Sequence, residues 1–272
     1  MKKILIKLIS SSATALAAMA ALAALNAAPA FAAESSVKLD HAPMDKATDV
    51  QALQRGAKLF VNYCLNCHSA QSMRYNRLKD IGLTEEQIKT SLLFTGEKVG
   101  EMMTVSMTKK DGKDWFGAAP PDLSVIARSK ASGDGSGADW LYTYLRSFYR
   151  DASRETGWNN TVFHNVGMPH VLWELQGEQR AVFAKVPDPH DKAKSIEQFE
   201  RFELINPAPK GGQLSKLDYD RSIGDLVGFL VWMGEPDAAF RKQLGVLVLV
   251  FLGVFMLPCA WLLNRAYWKD IH

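Results

Sequence analysis

Two cysteines two residues apart, with a histidine directly after the second, constrain this chain most: Cys64-Leu65-Asn66-Cys67-His68. A Cys-x-x-Cys pair alone serves redox dithiols and zinc half-sites equally well. The adjoining histidine shifts the pattern to covalent haem attachment, in which each thiol adds to a vinyl group and the imidazole lies against the iron. Whatever fold forms must wrap one flat, largely apolar macrocycle.

Two apolar segments bound the region that can do so. Lys2, Lys3 and Lys7 precede an alanine-rich stretch, and Ala30-Phe31-Ala32 fits an A-x-A cleavage site. Residues 1–32 therefore read as a secretory signal peptide. Near the other end, Leu244 to Leu263 holds no charged side chain; as a helix it spans about 30 Å, enough to cross a hydrocarbon core. Arg241 and Lys242 flank it before, Arg265 and Lys269 after, with Trp261, Tyr267 and Trp268 placed for an aromatic belt. The expected organisation is a signal peptide at 1–32, a haem domain at 33–240 outside the cytoplasm, a transmembrane anchor at 241–264 and a cytoplasmic tail at 265–272. This places the chain in a bacterial inner membrane, its haem on the periplasmic side.

The formal net charge of +3 comes from these ends. The body between them carries 25 Lys and Arg against 28 Asp and Glu, which offers nothing to a nucleic acid. Of three cysteines, the motif takes two and Cys259 lies in the anchor, so no structural disulfide is expected.

The periodicity predicts a mainly α fold. Asp49 or Thr48 caps a helix whose apolar positions Leu53, Ala57, Phe60 and Val61 lead to Cys64. Thr84-x-x-Gln87 is a capping box opening a helix to about Phe94. Residues 96–122 read as loop, and Gly133–Gly137 as a flexible loop. A helix is expected over about 138–150 and another over 222–233. Short strands at 171–175 and 200–205, joined by the charged stretch 185–199, would form a β-hairpin insertion.

A haem iron held by one histidine leaves its sixth position to methionine, a second histidine or vacancy. Met44, Met73, Met102, Met103, Met107, Met168, Met233 and Met256 lie beyond the signal segment. Asn165-Val166-Gly167-Met168-Pro169 is non-helical, with glycine giving freedom before the thioether and proline rigidity after it. Met168 is thus the first candidate, with Met102 or Met103 behind it. His164 and His170 are weaker alternatives.

The chain resembles the cytochrome c1 family, the haem subunit of the ubiquinol–cytochrome c reductase (cytochrome bc1) complex, in its bacterial form. Four blocks in order carry the resemblance: Arg55-Gly56 with Cys64–Ser69, Tyr75 and Leu78; Pro120-Pro121-Asp122-Leu123-Ser124 with Arg128; Gly167-Met168-Pro169; and Gly234-Glu235-Pro236 before the anchor. It implies a cytochrome c-like domain with one covalent haem c, His68 and Met168 as axial ligands, and Arg128 neutralising a propionate. Pro120 or Pro121 would line the haem, and a carbonyl there would orient His68. It further implies cytochrome b and a Rieske iron–sulfur protein as partners, the latter supplying single electrons that pass on to a cytochrome c. The chain would be an electron carrier, an enzyme only as part of the complex. Some family members carry a disulfide between the positions of Arg128 and Met168; this chain has no cysteine there, and the helix near 138–150 with its aromatics is expected to hold the loop instead. Rival readings are another membrane-anchored c-type cytochrome such as an oxidase subunit, a haem enzyme with an open sixth position, and a zinc or dithiol protein.

Overall fold

A computed structural model of the chain describes residues 37–187, 195–205 and 211–266. The signal segment lies outside the described residues, as does most of the tail. In chain order the elements are α1 (Val50–Leu59), β1 (Ala70–Arg74), α2 (Glu85–Ser91), β2 (Met102–Met103), α3 (Lys109–Phe116), α4 (Ile126–Ser129), α5 (Gly137–Arg146), β3 (Phe148–Arg150), β4 (Trp158–Asn160), α6 (Trp173–Gln176), β5 (Gln179–Pro187), β6 (Ser195–Leu204), α7 (Lys216–Gly234), α8 (Ala238–Phe251) and α9 (Leu257–Ala266). The fold is mainly helical, with three two-stranded antiparallel sheets pairing β1 with β2, β3 with β4 and β5 with β6.

The core forms where α1 and α5 meet α7. Asp49 caps α1 by accepting from the Gln51 amide, and Ala52, Leu53, Ala57, Phe60 and Val61 are buried. Phe60 meets Phe229 of α7 with ring centroids 5.5 Å apart. Gly56 permits that crossing, because a Cβ there would fall on the Asp225 carbonyl oxygen. The buried Asp225 carboxylate then accepts from Arg55 Nε at 2.5 Å and faces Lys46 Nζ at 3.5 Å, tying α7 to α1 and to the turn before it. From the other flank, the fully buried Tyr219 donates its hydroxyl to the Leu145 carbonyl of α5 at 2.8 Å.

Several expectations need correction. The stretch 96–122 is not all loop: it holds β2 and α3, and α3 opens with a reciprocal capping box between Thr108 and Asp111. The helix expected to Arg150 stops at Arg146, and Phe148–Arg150 pairs with Trp158–Asn160. Residues 171–175 are not a strand. Leu172 and Leu175 are buried three apart while Trp173 is exposed, which is one turn of helix; short apolar runs do not distinguish the two. Gly177, at φ 87°, ends that turn and starts a longer hairpin that takes in most of the charged 185–199 stretch. Its charges sit on exposed faces and pair across strands, as Arg180 does with Glu203 at 2.6 Å. The turn of the hairpin falls outside the described residues.

Ala238–Ala266 is one continuous helix of 29 residues, with mean hydropathy 2.7 over its most apolar window and no buried side chain. It is long and apolar enough to cross a membrane. Ahead of Pro258 its hydrogen bonds widen to π spacing over Leu252–Met256.

Candidate functional site

The Cys-x-x-Cys-His segment follows directly on α1. The helix widens into a π turn over Phe60–Cys64, after which the Cys67 and His68 amides both donate back to the Cys64 carbonyl, at 3.1 and 2.9 Å. Both thiols and the imidazole are thereby gathered on one tight turn. Cys64 is buried and Cys67 half-buried. Among the described residues no three His, Cys, Asp or Glu side chains converge to hold a metal ion by themselves.

The Pro120–Ser124 block lies directly against the segment after His68. Leu123 donates its amide to the Ser69 carbonyl at 2.8 Å. Asp122 accepts from the Gln71 amide at 2.8 Å and from the Ser124 amide at 2.9 Å, while the Ser124 hydroxyl accepts from Ser72 at 3.0 Å. These contacts place the Pro121 carbonyl 2.8 Å from His68 Nδ1. A carbonyl only accepts, so the proton sits on Nδ1 and Nε2 keeps its lone pair. Burial lowers the His68 pKa against the opposing pull of Pro121 and Asp122, favouring the neutral, ligating form.

A run of close contacts links this turn to Met168. A Cβ on Gly112 of α3 would lie 2.5 Å from Pro120 Cδ, and one on Gly167 would lie 2.5 Å from the Phe116 carbonyl oxygen. Glycine at 112 and 167 therefore lets α3 sit between the proline block and the Met168 loop. Met168 is half-buried against the core, and its Sδ accepts the Tyr144 hydroxyl at 3.4 Å.

The loop has no regular element, and side chains hold it. Asn160, fully buried, donates to the Tyr144 carbonyl at 2.8 Å and accepts from the Val162 and Phe163 amides at 2.9 and 3.1 Å. Asn159 Oδ1 accepts from the Asn165 amide at 2.9 Å, and Arg154 donates to the Asn165 side chain and carbonyl, both at 3.1 Å. Asn165 takes a left-handed φ of 59°, which asparagine tolerates better than most residues. Helix α5 contributes through Tyr144, as expected of its aromatics; the asparagine pair was not legible as a device for holding the loop.

The other candidates stand elsewhere. Met103 is fully buried in β2, opposite Ala70, and Met102 is exposed opposite Arg74. His164 is exposed. His170 stacks on Phe148 at 4.9 Å and meets Trp158 edge-on at 5.1 Å, and burial pushes its pKa down to about 4; its ring serves the core. Arg128 is exposed at the end of α4 and makes no ion pair or side-chain hydrogen bond among the described residues. Its Cδ lies 3.9 Å from where a Gly234 Cβ would be, so the block before the anchor adjoins the block after Pro120.

These residues fit a haem. Two cysteines lie beside an imidazole whose Nε2 keeps its lone pair, a thioether stands in a braced loop joined to the same segment, and the Arg128 guanidinium, unpaired among the described residues, remains to meet an anionic group.

The model of the Cytochrome C1 family matches residues 39–181. "Ammonia monooxygenase gamma subunit" of Nitrosomonas europaea is 49% identical over 245 residues, covering 89% of this chain and 94% of that protein. "Cytochrome c1" of Allochromatium vinosum is 44% identical over 225 residues, covering 82% and 86%, and "Cytochrome c1" of Rhodospirillum rubrum is 27% identical over 250 residues, covering 82% and 83%. With the haem-binding turn, the proline block and the glycine-methionine loop joined in one structure, this chain belongs to the cytochrome c1 family and carries one covalently bound haem c.

Proposed function

We propose that this chain is the one-electron relay of a bc1 complex, taking electrons from a Rieske iron–sulfur protein and giving them to a cytochrome c. The haem supplies the reversible one-electron couple; the chain supplies attachment, ligation and burial. Cys64 and Cys67 fix the ring covalently. His68 presents Nε2 because Pro121 holds its Nδ1 proton. Met168 would supply a thioether as the second protein ligand, a choice that raises the potential relative to a second histidine. Arg128 pairs with a propionate through a guanidinium that no other side chain engages among the described residues. In this reading residues 1–32 are removed on export, 33–240 form the periplasmic domain, 241–264 anchor it beside cytochrome b, and 265–272 stay in the cytoplasm.

The observation that carries the proposal is the linkage of the His68 turn to the Met168 loop through Pro121, Pro120, Gly112, Phe116 and Gly167. Optical spectra of the membrane-purified chain test it. Oxidised wild type is expected to be six-coordinate and low-spin with a near-infrared sulfur–iron band, and Met168→Leu to lose that band. A band that persists in Met168→Leu refutes the ligand assignment.

The name of the Nitrosomonas europaea relative favours a second reading, in which the same haem site serves a monooxygenase. The readings differ in partners. Purification from native membranes with cytochrome b and a Rieske protein supports the relay; purification with oxygenase subunits in their place supports the alternative.

A further inference from the structure

We infer that Tyr144 is a positioning residue for the iron: its hydroxyl holds the Met168 thioether and raises the potential of the site. The inference rests on Met168 being an iron ligand, as proposed above.

A thioether sulfur carries two lone pairs. If one faces iron, the other is free to accept a hydrogen bond, and the Tyr144 hydroxyl lies 3.4 Å from Sδ. That hydroxyl has no other partner among the described residues. Its ring is fixed independently of Met168. It stacks on Trp140 with centroids 4.6 Å apart and planes 15° from parallel, and it meets Phe148 edge-on at 5.0 Å. Below it, α5 is held in register by the Ser136–Asp139 capping box, and Asn160 clamps the Tyr144 carbonyl. The donor is therefore held by contacts that do not involve the flexible methionine.

Two consequences follow from chemistry. A donated O–H withdraws electron density from sulfur, so the thioether stabilises the more highly charged iron less and the reduced state is favoured. Methionine has three rotatable side-chain bonds, and the hydrogen bond selects the rotamers that keep sulfur in place, slowing its loss from iron. Phenylalanine at 144 would fill the same ring space without either effect. Burial in the aromatic cluster explains an aromatic residue at this position; it does not explain the hydroxyl.

The test uses the full-length haem-loaded chain purified from membranes, with wild type, Tyr144→Phe, Met168→Leu and a wild-type chain bearing 3-fluorotyrosine at position 144. Tyr144→Phe is expected to retain the near-infrared band at a shifted wavelength and to change the oxidised-to-reduced ratio at fixed ambient potential by about threefold toward oxidised, about 28 mV at 59 mV per tenfold for one electron. The more acidic fluorinated phenol donates more strongly and should shift the potential upward. This opposite sign is something a purely structural role would not produce, and it does not require the phenylalanine variant to fold. If Met168→Leu abolishes the band while Tyr144→Phe and the fluorinated chain match wild type in band and potential, the inference is overturned and the ligand assignment stands. If the band survives Met168→Leu, the ligand assignment falls and the inference with it.

Discussion

Val50–Cys64 reaches His68 as a helix whose buried face lies on Lys216–Gly234, whereas Thr161–His170 reaches Met168 with no regular element. The first segment is held by apolar burial, each large side chain contributing about 1.5–3 kcal/mol. The second is held by side-chain hydrogen bonds, each about 1 kcal/mol net but costing more when one partner is removed and the other stays buried. One side of the proposed haem site is thus fixed by shape and shared among many contacts. The other is fixed by a few polar groups, chiefly Asn159 and Asn160, in a stretch that holds no cysteine. Damage on the histidine side should spread through the fold; damage on the methionine side should stay local.

The most severe way to break the first side is Gly56→Val. Its Cβ would overlap the Asp225 carbonyl oxygen and lie 2.7 Å from Phe229 Cβ. Separating α1 from α7 should cost about 3 kcal/mol or more. Thermal unfolding of the haem-loaded protein should show it, with little holoprotein accumulating in membranes. A wild-type melting temperature would mean that this crossing does not set the position of the haem turn.

Asn160→Ala probes the second side. It leaves the Val162 and Phe163 amides without their partner and removes one of the donors to the Tyr144 carbonyl, which keeps Ser147, a loss of about 2–3 kcal/mol. Covalent attachment and the Soret band should survive while the near-infrared sulfur–iron band weakens. Should Asn160→Ala instead destroy the whole fold, as Gly56→Val is expected to, the contrast between the two sides would be wrong.

Asp225→Asn should have a smaller effect, although the carboxylate is buried. Arg55 is half exposed and can reach water when its partner is neutralised, so the cost falls from the several kcal/mol of a fully buried pair to about 1 kcal/mol. Urea denaturation should show a modest loss, with the near-infrared band unchanged.

This division also explains what could be read in advance. The Asp49 cap, the Thr84–Gln87 box, the apolar face of α1, the haem turn and the anchor are local patterns, and local patterns survive in sequence. Thr108-x-x-Asp111 carried the same kind of signal for α3, but the surrounding glycines and prolines pointed to loop. The strand expected at 171–175 failed because five apolar-rich residues fit one helical turn equally well. The linkage of Pro120 to Gly112 and of Gly167 to Phe116 was not legible, since close approach between distant backbones leaves only an unexplained glycine behind. The asparagine pair was hidden for a related reason: Asn159 and Asn160 look like ordinary turn residues until the amides they serve are known.

The smallest expected effect concerns pH on the methionine side. Asp151 begins the β3–β4 turn and is held below the usual carboxylate range by the Ser153 hydroxyl first and the Asn159 side chain next, at 2.6 and 2.8 Å. A depressed folded-state pKa gives stability that is fully present above the unfolded value, about 3.9, and is lost as pH falls through the lower folded value. Asp151 therefore contributes a constant amount between pH 5 and 8, and its contribution fades only below about pH 4. Asn159 donates to Asp151 with one end of its amide and accepts from Asn165 with the other. Protonating Asp151 should thus loosen the Met168 loop before it affects α1. Urea midpoints of wild type and Asp151→Asn, compared at pH 3.5 and pH 6, should lie closer together at the lower pH and differ slightly more at the higher one. The near-infrared band of wild type should weaken as pH falls through the depressed folded-state value, while the fold persists. Parallel curves at both pH values would mean that the carboxylate does not brace the loop, leaving Asn160 and Arg154 to hold it.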